Sequence, residues 1–143
     1  MLIGLDPVLS PDMLRVLRAM GHGDVIAVVD ANFPADACAK RLVRADGLSA
    51  TRVLQAILSI MPLDHMSDPA AFSMEVVGDP AAVPPAVADF QETIDSTADT
   101  PSRIGPVERF AFYEKARDAY AIVQTGERRL YGNILLVKGV IQP

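Results

Sequence analysis

The 143-residue chain reads as an α/β protein: a three-layer α/β/α sandwich with a largely parallel central sheet. Three observations predict it. Apolar stripes at helical spacing alternate along the chain with short β-branched runs. The first such run, Val25 to Val29, is continuously apolar, as in a strand buried on both faces. The length suits one hydrophobic core, so residues 1–143 form a single domain in this reading.

Ser10-Pro11-Asp12 starts the first helix. Ser10 offers a capping oxygen, Pro11 fits the first helical position, and Asp12 faces the positive end of the dipole. Met13, Leu14, Val16, Leu17 and Met20 form its stripe and Gly21 its left-handed stop, which predicts a helix over 11–20. Val25 to Val29 is a strand that must end before Pro34, a residue without a donor. Residues 35–40 read as a loop or short helical turn, and Arg41 to Ala45 as a second strand stopped by Asp46-Gly47. Ser49 caps a helix whose stripe is Val53, Leu54, Ile57, Leu58 and Met61 and which Pro62 ends. Leu63-Asp64-His65 leaves it as a loop, and Phe72 to Val77 alternates as a strand. Val87, Phe90 and Ile94 space a third helix over about 85–96. Ser96 to Pro106 reads as a surface loop, too short for a domain linker. A helix over 107–119, a strand over 119–123, a turn at Thr125 to Arg128 and a last strand over 134–140 complete the chain.

The net charge of −5 and pI near 4.9 exclude nucleic acid as a partner, because phosphates demand a basic face. The same sign disfavours anionic lipid surfaces, and no apolar run approaches the roughly 20 residues of a membrane span. Half the residues are hydrophobic and mean hydropathy is +0.25. A subunit interface is the natural home for that excess. The lone Cys38 cannot form an intrachain disulfide, and MLIGLDPVLS lacks the features of a signal peptide, so a cytoplasmic protein is expected.

Several chemistries find no motif. Gly21-His22-Gly23 lacks a third glycine and precedes a strand, which excludes a phosphate loop. There is no CxxC, HExxH or Gly-x-Ser-x-Gly, and two histidines make a protein-held metal site improbable. Four polar positions abut apolar elements. His22 reads either as a helix C-cap neighbour or as an acid–base group titrating near neutral pH. Asp30 stands where a strand ends, which suits a ligand site or a turn. Arg109 lies on a helix with Phe110 and Phe112, as ligand anchor or solvated face. Tyr131-Gly132-Asn133 is a turn, or a phenol and carboxamide displayed to a hydroxyl-rich ligand.

Together these stretches carry more than each alone. MGHGD, DANFP, RADGL, PLD, ERFAFYEKA, TGE and LYGNILLVKGV, in that order, resemble the L-fucose mutarotase and D-ribose pyranase family. The resemblance spans nearly the whole chain and is weakest from Ala70 to Ile104. It implies a cofactor-free, metal-free isomerase of free reducing sugars, with His22 as proton donor. It implies sugar contacts from Asp30, Asp64, Arg109, Tyr113, Tyr131, Gly132 and Asn133. It also implies a homo-oligomeric ring, often a decamer, with the monosaccharide at a subunit interface. Ribose pyranases carry histidine where Arg109 stands and Tyr-Ala-Asn where Tyr131-Gly132-Asn133 stands. Both positions favour L-fucose mutarotation over the alternatives, pyranase activity on D-ribose or non-catalytic sugar binding.

One spacing constrains the site. Eight positions separate His22 from Asp30, up to roughly 27 Å of extended chain. The expectation is therefore a composite site, with Tyr131 to Asn133 arriving from another subunit.

Overall fold

The computed structural model describes residues 1–143. Five helices, α1 (Pro11–Ala19), α2 (Ala35–Cys38), α3 (Ala50–Leu58), α4 (Pro85–Thr97) and α5 (Arg109–Asp118), interleave with six strands. The strands are β1 (Val25–Val29), β2 (Leu42–Ala45), β3 (Ala71–Met74), β4 (Ile104–Val107), β5 (Ala121–Thr125) and β6 (Ile134–Val137). They form one mixed sheet in the order β2-β5-β1-β6-β3-β4. Only β6 opposes its neighbours: it pairs antiparallel with β1 and β3, whereas the other three pairings are parallel.

Burial follows the two-residue alternation of the strands. Ile26 and Val28 of β1 point into a cluster of 27 buried residues with α1, α3 and α4. Ala27 and Val29 point the other way, into a smaller cluster with Phe112 and Ala116 of α5 and Ala35 of α2. Both faces of the sheet are therefore covered, which is why the central strands read as unbroken apolar runs.

The local signals at helix starts hold. The Ser10 hydroxyl oxygen accepts from the Met13 amide, and Ser49 from Arg52. Helix α5 starts at Arg109 rather than 107, because the Glu108 carboxylate accepts from the Phe110 and Ala111 amides. β5 runs over 121–125, two residues later than its apolar run suggests. The loop expected over 96–106 is half wrong. Its end is β4, an edge strand in parallel register with β3, where Pro106 does no harm. A side chain of α4 anchors it: Gln91 accepts from the Ile104 amide and donates to the Ser102 carbonyl.

One turn admits no side chain. A Cβ on Gly126 would lie 2.0 Å from the Asp46 carbonyl oxygen, and backbone cannot step aside. Gly126→Ala should cost about 3 kcal/mol, the upper end of overpacking, and lower the thermal midpoint by roughly 10 °C in calorimetry.

Candidate active site

The predicted residues collect at opposite ends of the sheet. At the carboxyl end of β1, Asp30 is buried and its backbone amide donates to Asn133 Oδ1 at 2.8 Å. Asn133 Nδ2 returns a 2.8 Å bond to Asp30 Oδ2, and Asp30 Oδ1 accepts from the Asn32 amide. The two residues are 103 positions apart, yet they clamp each other within one chain. The cause is the direction of β6, which sets Ile134 opposite Val28. The expectation that Asn133 reaches Asp30 from another subunit is thus corrected.

A cleft of about 290 Å³ opens over this clamp, lined also by Phe33, Arg109, Tyr113 and Tyr131. Tyr113 stacks on Phe33 with centroids 5.2 Å apart, so two aromatic faces wall the cleft. The Arg109 guanidinium lies 5.9 Å from the Tyr113 ring and takes part in none of the six salt bridges of the chain. Its donors are therefore free for a ligand. Tyr131 is the one non-glycine residue at positive φ (59°), and its hydroxyl accepts from the Val77 amide. Gly132 has no room for a side chain: a Cβ would stand 2.6 Å from Glu127 Cγ and 3.5 Å from Asp30 Cβ.

His22 is elsewhere. The Gly21-His22-Gly23 turn precedes β1, tied by the Gly23 amide to the Lys138 carbonyl at the far end of β6. Gly23 supplies a φ of 83° there. β1 alone spans roughly 16 Å, so no monosaccharide touches both His22 and Asp30 of one chain. What His22 meets is Asp64, with Nε2 3.1 Å from Oδ1. Asp64 is buried and accepts from the Ser67 hydroxyl and the Met66 amide. An ionised Asp64 can only accept, so Nε2 is the nitrogen that donates to it, and in the neutral imidazole this leaves the lone pair on Nδ1 of a side chain that is 42% exposed.

Electrostatics separate the carboxylates. Burial pushes Asp30 above its ordinary 3.8, assisted by the Glu127 charge and opposed by its bonds from Asn32, Asn133 and Phe33. The Ser67 hydroxyl first, then Met66 and His22, hold Asp64 below that value. Glu127 is held below 4.5, chiefly by Arg129. Asp30 therefore adds stability that is fully present below 3.8 and lost as pH rises through its folded value. Asp64 and Glu127 add stability present above their ordinary values and lost as pH falls through their folded ones. In urea unfolding between about pH 7 and about pH 4, wild type should gain stability relative to Asp30→Asn as the solution is acidified.

No group of three or more His, Cys, Asp or Glu is arranged to hold a metal ion. Sequence reasoning missed Phe33, Glu127 and Arg129. The last two stand in or beside the TGE motif, which drew attention without suggesting a role.

A model of the RbsD / FucU transport protein family matches residues 3–141. The chain belongs to that family. Among family members, the L-fucose mutarotase of Histophilus somni strain 2336 is 39% identical over 140 residues, 98% of this chain and 97% of that one. The crystal structure of the fucose mutarotase from Streptococcus pneumoniae in complex with L-fucose superposes with a TM-score of 0.91 at 40% identity, covering 99% of this chain and all of the other. Bacillus subtilis RbsD complexed with D-ribose shares the fold, with a TM-score of 0.74 at 19% identity over 94% of this chain and 95% of that one.

Proposed function

We propose that this chain is an L-fucose mutarotase, interconverting the α and β anomers of the free sugar through an active site shared by two subunits. One observation carries the shared site. The acid–base candidate His22 pairs with Asp64, one of the expected sugar contacts, away from the cleft, while the cleft that gathers Asp30, Arg109, Tyr113, Tyr131 and Asn133 contains no histidine. Each end of the sheet is half a site. The mutarotase relatives support the substrate, and Arg109 and Gly132 agree with the fucose-type pattern that the resemblance implies.

The chemistry needs little more than placement. One group takes the proton of the anomeric hydroxyl while another protonates the ring oxygen. The C–O bond of the hemiacetal breaks, C1–C2 rotates, and the aldehyde recloses on its other face. Nδ1 of His22 can accept and return that proton, with Asp64 fixing the tautomer and stabilising the imidazolium. Asp30 accepts from a sugar hydroxyl, Asn133 and Tyr131 hold others, and Arg109 donates. Tyr113 and Phe33 offer apolar faces to the C6 methyl of a deoxy-sugar.

The assembly follows from the same split. Val77 and Leu130 are exposed at the cleft, Phe110 is exposed next to Arg109, and Met66 is exposed beside the His22–Asp64 pair. Docking one end on the other is a head-to-tail contact, which forms a closed ring where the rotation between subunits is a whole fraction of a turn. A ring-shaped homo-oligomer, a decamer or another pentamer-based ring, agrees with the family resemblance. In this reading residues 1–143 work as one domain, with helical layers on both faces of the sheet. The location is the cytoplasm, where Cys38 stays reduced.

NMR exchange between the anomeric protons tests this across L-fucose, D-galactose and D-ribose. Acceleration greatest for L-fucose supports the proposal. Greatest acceleration for ribose ring interconversion makes the chain a pyranase, and sugar binding without acceleration makes it a binding module.

A further inference from the structure

The Tyr131–Asn133 arm supplies much of the cleft, and its shape is unusual for its residues. Tyr131 is bulky and sits at positive φ, a strained choice that surrounding structure must enforce. What enforces it lies behind the cleft. Arg129 donates from Nε to Glu127 Oε1 at 3.0 Å and from Nη2 to Glu127 Oε2 at 3.1 Å, a two-point grip on a carboxylate that is only 5% exposed. The Arg129 amide donates to the same carboxylate. The rest of the guanidinium reaches outward, to Asp89 of α4 and Thr51 of α3. Glu127 is the pivot. Its carbonyl accepts from the Ala31 amide beside Asp30, and its Cγ fills the space a Gly132 side chain would need.

We propose that Arg129 is a positioning residue for the sugar site: by holding Glu127 under Gly132, it keeps Asn133 on Asp30 and Tyr131 on Val77. Its guanidinium touches the two helices and Glu127, and acts on the sugar only through the arm. The link to sugar rests on the mutarotase reading; the link to the arm does not.

The full-length chain is compared with Arg129→Gln, Arg129→Lys and Glu127→Gln. Without sugar, hydrogen exchange at the Asp30, Ala31 and Val77 amides should quicken at least tenfold in Arg129→Gln and Glu127→Gln. Exchange at Ile26 and Ala27, in mid-sheet, should stay within twofold. Arg129→Lys keeps the charge and loses the fork, so it should fall within threefold of Arg129→Gln. With L-fucose, KM should rise at least tenfold while kcat stays within threefold, because His22 lies in the other half-site. Unchanged exchange at Asp30 and Val77, or equal quickening in mid-sheet, overturns the proposal. Should Arg129→Gln fail to fold, Asp89→Asn at the exposed end of the network must show the same local pattern at threefold or more. If wild type does not act on fucose, the mutarotase reading falls, and hydrogen exchange alone decides the role of Arg129.

Discussion

His22→Ala should lower kcat for L-fucose anomer exchange by about 10²–10⁴-fold, the contribution of one positioned proton-transfer group. Sugar affinity should change by less than about threefold, since the holding groups sit in the opposite half-site. The variant should fold normally: the His22 side chain is 42% exposed and its one polar partner is Asp64. Line-shape analysis of the anomeric protons gives the rate, and calorimetry gives the affinity. Asp64→Asn should retain more activity than His22→Ala, because it removes the orienting carboxylate and leaves the imidazole. Equal exchange rates in wild type and His22→Ala would remove the histidine from the mechanism. Mixing His22→Ala with Asp30→Asn should give more activity than the two variants show separately, because some interfaces then join two intact halves. Failure of such mixtures to recover any rate, with subunit exchange demonstrated, would count against a shared site.

Asn133→Ala should damage both fold and binding. The carboxamide satisfies the Asp30 amide and one Asp30 oxygen, both buried. Truncation leaves two polar groups without partners, at about 1–3 kcal/mol each. The urea midpoint should fall accordingly at constant m-value. The loss of a sugar-holding amide and the release of Asp30 should raise KM for L-fucose at least tenfold. Asn133→Asp should be worse at neutral pH than at about pH 4, since it sets a second carboxylate against Asp30, whose own carboxyl burial already disfavours in the charged form. A wild-type KM in either variant would mean that the clamp plays no part in holding sugar.

Much of the fold was legible because its causes are local. Ser10 and Ser49 cap helices through amides three residues on, and the β-branched run at Val25 to Val29 needs both faces covered wherever it lies. β4 was not legible. Ile104 to Val107 holds a glycine and a proline, and it becomes a strand through the β3 ladder and the reach of Gln91. Helix α5 begins two residues later than its pattern suggests because Glu108 serves as its cap, a role that glutamate's longer side chain does not advertise.

The candidate site divides the same way. From residue types and motif order alone came the histidine, the aspartates, the arginine and the Tyr-Gly-Asn arm, together with the family they resemble. Which of them meet was decided by strand direction. A five-residue strand holds His22 and Asp30 at its two ends, although they are near neighbours in sequence. The antiparallel β6 carries Asn133 to Asp30 across more than a hundred positions, and the loop after α3 brings Asp64 to His22. Side-chain chemistry is a property of each residue and can be read one position at a time. Proximity is a property of the sheet: the order and direction of its strands depend on cooperative burial across the whole chain, and no single stretch encodes it.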